Sequence, residues 1–74
     1  MAPGGLTGHW RSEDVGALPV VVDVVTAGSV LGMGRTAAYE AARRGEFPVP
    51  VMRIGSRYRV VTAHLLDVLG IRDV

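Results

Sequence analysis

The apolar residues of this chain fall into stretches of different period, separated by glycine and proline. Val24, Ala27, Gly28 and Leu31 recur at i, i+3, i+4 and i+7, the spacing of a helix with one apolar face. Asp23 stands just ahead of it, where a carboxylate accepts from the first free backbone N–H groups. Gly32, Met33 and Gly34 break the pattern, and a second, alanine-rich helical run over 35–44 follows at once, ended by Gly45. Leu65 and Leu69, four apart with Val68 between them, predict a last helix capped by Thr62 and closed by Gly70. Upstream, Leu18-Pro19-Val20-Val21-Val22 is β-branched and reads as a short strand or an extended lead-in.

Between the second and last helices the period changes to two. Pro48 and Pro50 enforce an extended connection, and 51–54 and 57–61 read as two strands of a hairpin. Its register follows from sorting side chains by face. A loop of Gly55 and Ser56 alone sets Ile54 against Arg57 and Met52 against Arg59, mixing apolar and charged groups. A three-residue loop, Gly55-Ser56-Arg57, pairs Ile54 with Tyr58 and Met52 with Val60 on one face, and Arg53 with Arg59 on the other. The second register is the expected one. It sets two like charges across a ladder, which an anion such as phosphate would relieve. An exposed edge kept from aggregating by positive charge is the other open reading of these arginines.

Two helices joined by a glycine turn and followed by a hairpin predict an α+β fold, a small winged helix-turn-helix. About three short helices carry it, with a β-hairpin wing and room for a short third strand at 18–22. Small residues at Ala27, Gly28, Ala38, Ala41 and Ala42 let the two helices approach closely. An αα-hairpin without a nucleic-acid role shares this pattern and stays open. Residues 1–17, with Pro3, Gly4, Gly5 and Gly8 and no hydrophobic period, are expected as a flexible tail ahead of one domain over 18–74.

Composition narrows the function. A chain of 74 residues builds one modest core, which disfavours a cleft-bearing enzyme. Without cysteine there is no disulfide frame, thiolate nucleophile or thiolate metal cage. No apolar run matches a signal peptide or a membrane span, so a cytosolic location is the default and no membrane partner is expected. His64 and Asp67 lie three apart on the last helix, but two ligands are too few for a metal site, so no metal, cofactor or catalytic group is expected. The net charge of +1 hides a polarity: 35–59 holds six arginines against Glu40 and Glu46, while Arg11 and Arg72 elsewhere face five acids. A local cationic segment of this kind suits phosphate. A protein-interaction module whose arginines meet an acidic partner is the alternative of another class.

Three blocks along 23–69 carry a resemblance: Leu31-Gly32-Met33-Gly34-Arg35-Thr36 with Tyr39, then Ala42-Arg43-Arg44-Gly45-Glu46-Phe47-Pro48, then Arg53-Ile54-Gly55-Ser56-Arg57-Tyr58-Arg59-Val60. In order and spacing they resemble the excisionases, the recombination directionality factors of phage and mobile elements, whose winged helix is similar to that of MerR-like regulators. The resemblance implies an architectural, sequence-specific binder of double-stranded DNA. Such proteins bind attachment sites side by side, bend them and direct an integrase towards excision. It implies neighbouring copies and a phage-type integrase as partners, and a cytoplasmic, nucleoid-associated location in a bacterial host. The second helix would enter the major groove and the wing would reach the minor groove or its phosphates. The implied DNA contacts are Arg35, Thr36, Tyr39, Arg43 and Arg44 on the helix, and Arg53, Ser56, Arg57 and Arg59 on the wing. Glu40 departs from the family pattern, where a basic or neutral residue is often found, and would accept from a cytosine amine or orient Arg43 or Arg44. Gly34 also departs, standing where a Ser or Thr cap is usual. A small transcriptional regulator on the same fold is the nearest alternative.

Overall fold

A computed structural model describes residues 10–71. Their elements run α1 (Ser12–Gly16), β1 (Val21–Asp23), α2 (Val24–Val30), α3 (Arg35–Arg44), β2 (Met52–Ile54), β3 (Arg57–Val61) and α4 (Thr62–Leu69). Helices and one antiparallel sheet of order β1-β3-β2 make a small α+β, winged-helix-like fold, in which β2 and β3 are the wing and β1 is the third strand.

Local chemistry explains the helix ends. Asp23 caps α2 by accepting from the Thr26 N–H at 2.7 Å. Gly34 caps α3 in extended backbone with no side-chain bond. Gly45 ends α3 at φ +72°, its N–H donates to the Ala42 carbonyl at 3.2 Å, and the Glu46 N–H closes back onto the Ala41 carbonyl at 2.8 Å, so two of the terminal carbonyls of the helix are satisfied.

The turn between α2 and α3 works because Gly28 has no side chain. A Cβ there would lie 2.6 Å from the Ala38 Cβ, well inside contact distance, so the helices meet backbone against methyl. The Met33 N–H then donates to the Gly28 carbonyl at 2.7 Å and fixes the turn. Ala38 and Ala42 are buried as their spacing requires, while Ala41 lies at the margin. Around this pair Val22, Val24, Ala27, Val49, Val60 and Leu65 form the core, with Leu65 and Val60 fully enclosed.

Three expectations fail. First, the wing turns on Gly55 and Ser56 alone, so Met52 pairs with Arg59, Arg53 with Tyr58 and Ile54 with Arg57. Gly55 takes the left-handed φ of +62° while Ser56 does not, the sign pattern of a two-residue hairpin turn with glycine first. The longer loop would have pushed Arg57 towards a conformation that only glycine takes cheaply. The result leaves Met52 and Ile54 on the outer face, 38% and 57% exposed, beside Arg57 and Arg59. Arg53 and Tyr58 fall on the other face, so the arginine pair across the ladder does not exist.

Second, the expected tail is structured over 12–16. There α1 packs on α4, and Val15 is wholly buried. Residues 1–9 lie outside the described residues. Third, Thr62 is the first residue of α4 rather than its cap: the position falls to Val61, and the buried Thr62 hydroxyl donates to the Pro19 carbonyl. That bond, with Thr62 N–H to the Val20 carbonyl at 2.8 Å, ties the lead-in of β1 to the start of α4.

Candidate nucleic-acid interface

The candidate site is a flank shared by α3 and the wing. On α3, residues 35, 39 and 43 succeed one another at i, i+4 and i+8, so Arg35, Tyr39 and Arg43 form one stripe, all exposed, with Thr36 exposed beside Arg35. Glu40 does not stand free on this surface. Its carboxylate accepts from the Arg43 guanidinium at 2.7 Å and lies 3.8 Å from Arg44 Nε. The hydrogen bond from Arg43, and then its charge, hold the Glu40 carboxyl below the usual carboxylate range, and the same pair raises the Arg43 guanidinium. Of the two roles open to Glu40, orienting Arg43 and Arg44 is the one present in the free chain.

The wing is joined to this stripe by aromatic contact. Tyr58, half-buried on the inner face of β3, meets Tyr39 edge to face, with ring centroids 6.3 Å apart at 72°. Such a geometry sets the positive rim of one ring against the negative face of the other. Arg53, across the ladder from Tyr58, places its guanidinium carbon 5.9 Å from that ring's centroid, and its Nε donates to the Gly55 carbonyl at 3.3 Å. Tyr39, Tyr58 and Arg53 are therefore brought together. Ser56 sits exposed at the wing tip.

Arg57 and Arg59 occupy the outer face of the wing. There Asp23 of β1 stands across from Arg59 in the ladder. Its carboxyl is lowered first by the Thr26 N–H, against partial desolvation, and further by the charges of Arg59 and Arg35. One acid thus lies in the field of the first arginine of α3 and the last of the wing. The sequence contains the elements of this arrangement but not its connections: Tyr58 appears there only as an apolar wing residue, and Asp23 only as a cap. Trp10, unexplained by sequence, donates from Nε1 to the Ser29 hydroxyl at 2.9 Å and so binds the segment before α1 to α2.

A lowered carboxyl makes a pH test possible. Because the folded-state pKa of Asp23 is depressed, its contribution is present above the unfolded value and is lost as pH falls through the folded one. Replacing Asp23 by Ala should cost about 1 kcal/mol at pH 7, the usual worth of a cap. That difference should shrink as pH drops below about 4, in urea denaturation followed at several pH values. A constant difference at all pH values would assign the effect to something other than the ionised carboxylate.

Among the described residues no three groups capable of holding a metal ion cluster, and no helix is long and apolar enough to cross a membrane. Compared with known proteins, the chain matches no family model, no curated protein and no solved structure.

Proposed function

We propose that the chain is a non-enzymatic binder of double-stranded DNA of the excisionase type, acting as an architectural factor at attachment sites. The observation that carries this reading is the Tyr39–Tyr58 contact, which makes the exposed face of α3 and the wing one continuous surface bearing Arg35, Arg43 and Arg53. A helix stripe and an adjoining hairpin are the two parts with which a winged helix addresses a major groove and the neighbouring backbone. Arg35, Thr36, Tyr39 and Arg43 face the groove; Arg44, Arg53, Ser56, Arg57 and Arg59 meet phosphates or the minor groove. The described residues extend 34 Å along their longest axis, about one turn of B-form DNA. One copy then covers a short site, and neighbouring copies on DNA and an integrase supply the rest of the affinity and the directionality. This role places the protein in the cytoplasm of a bacterial host, on its DNA.

Counterion release provides the test. If Arg57 and Arg59 each neutralise a phosphate, changing either to Ala should weaken binding to cognate and random duplex alike and reduce the slope of log K against log salt by about one. The measurement is fluorescence anisotropy over a salt series, and an unchanged slope would remove these residues from the backbone contact. The biological role is decided by in vitro recombination with the cognate integrase and attachment sites. Addition of the protein should favour excision over integration, and no effect on direction would return the chain to the regulator reading.

A further inference from the structure

Behind the C-terminal end of α3 the chain leaves an open groove of about 490 Å³, within the range of small-molecule sites. Apolar and aromatic side chains make up about half of its lining: Ala42 from α3, Phe47, Pro48 and Val51 from the connection, and Tyr58 from the wing. Two prolines in that connection stiffen the backbone, so the floor does not need to be ordered by an occupant. Among the described residues that line it Arg53 is the single charged one, and none of them is acidic. Its guanidinium is exposed and held near the Tyr58 ring by the contact already described.

We propose that this groove binds a small aromatic carboxylate, with the ring system on the floor of Phe47, Pro48 and Val51 and the carboxylate on the Arg53 guanidinium. Charge selects the ligand's sign, since a cation would meet Arg53 with no acid to offset it. Shape selects its geometry, because a planar guanidinium offers parallel N–H donors that match a carboxylate. Apolar and aromatic side chains beside one cation favour an anion that carries an apolar body over a small hydrated one. A duplex backbone brings charge but no apolar body to cover Phe47 and Val51. The site lies between α3 and the wing, so on the DNA-binding reading above its occupant would compete with the duplex for the Arg53 guanidinium. The binding itself does not depend on that reading.

The experiment is a titration of the ¹⁵N-labelled full chain, without DNA, with 1-naphthoate, with the neutral analogue 1-naphthalenemethanol, and with acetate. Saturable shifts of the Phe47, Val51, Arg53 and Tyr58 amides by 1-naphthoate are expected, with weaker binding of the neutral analogue and none of acetate. Arg53→Gln should weaken 1-naphthoate about tenfold or more, leave the neutral analogue unchanged, and show a folded spectrum; Arg53→Lys should recover part of the loss. The proposal is overturned if 1-naphthoate gives no saturable shift at millimolar concentration, if its shifts lie elsewhere, or if Arg53→Gln does not separate the charged from the neutral ligand. Because no duplex is present, failure of DNA binding leaves this outcome readable.

Discussion

Adding one methyl group at the interface between α2 and α3 should destabilise the chain, whereas moving that methyl from one helix to the other should leave its stability nearly unchanged. Gly28→Ala places a Cβ 2.6 Å from the Ala38 Cβ, where ordinary contact begins near 3.4 Å. The helices must then separate in a core whose other members are already enclosed. Overpacking of this kind costs about 1–3 kcal/mol, and the better helix propensity of alanine returns about 1 kcal/mol of it. A domain of this size has roughly 3–9 kcal/mol to lose, so Gly28→Ala should lower Tm by several degrees, and Gly28→Val should abolish cooperative unfolding. Ala38→Gly alone loses a buried methyl and gains a flexible helix position, about 1–2 kcal/mol together. The double variant Gly28→Ala with Ala38→Gly keeps one glycine and one alanine in the interface, so the propensity effects cancel. At position 28 the new methyl then meets Met33 Cβ at 3.5 Å and the position-38 Cα at 3.7 Å, both ordinary contacts. Thermal or urea denaturation should find the double variant within about 1 kcal/mol of the parent. Losses that simply add would mean that the close approach is not what Gly28 serves.

This interface was legible in the sequence for a definite reason: helix spacing, a glycine stop and small residues at the contact are local statements about neighbouring residues. Asp23, Gly45 and Gly70 likewise act within a turn of their own position, and all three serve as their surroundings in the chain predict. The wing register was not legible, because sorting side chains by face assumes that one face is uniformly apolar. Here the inner face is amphipathic: Tyr39 offers Tyr58 an aromatic partner, and Tyr58 offers Arg53 a ring. Those contacts, together with the glycine turn, accompany a register that leaves Met52 and Ile54 half-exposed outside. Neither partner is a neighbour in sequence, so alternation alone chooses the other register. The site shows the same division. Exposed arginines on α3 and the wing could be named from their positions, whereas the tyrosine junction between the two elements and the Asp23 field between Arg35 and Arg59 required the tertiary fold. Thr62 illustrates it on one residue: a hydroxyl at a helix start reads as a cap, but its acceptor lies 43 positions back at Pro19.

The segment expected to be a tail yields the other large effect. One apolar residue in five gives α1 no detectable period, and a helix of that length is not stable by itself. Its order comes from packing on α4, with Val15 buried, and from two local bonds: Asp14 Oδ2 accepts from the Arg11 N–H at 3.1 Å, and the Val15 N–H donates to the Arg11 carbonyl at 3.0 Å. Full burial of a valine is worth about 1.5–3 kcal/mol, and Trp10 adds its hydrogen bond to Ser29. Deleting residues 1–17 should therefore remove a large share of the stability, lower the urea midpoint and, by exposing less surface on unfolding, reduce the m value. Val15→Asp in the full chain should destabilise by at least as much, because a carboxylate would enter a wholly buried site. Glu13→Ala, on the exposed side of the same helix, should change little. As the single tryptophan, Trp10 reports the same event: in the Val15→Asp variant its emission should shift towards that of a solvated indole at urea concentrations where the parent remains native. A deletion variant with the midpoint of the full chain would mean that α1 lies on the domain without contributing to it.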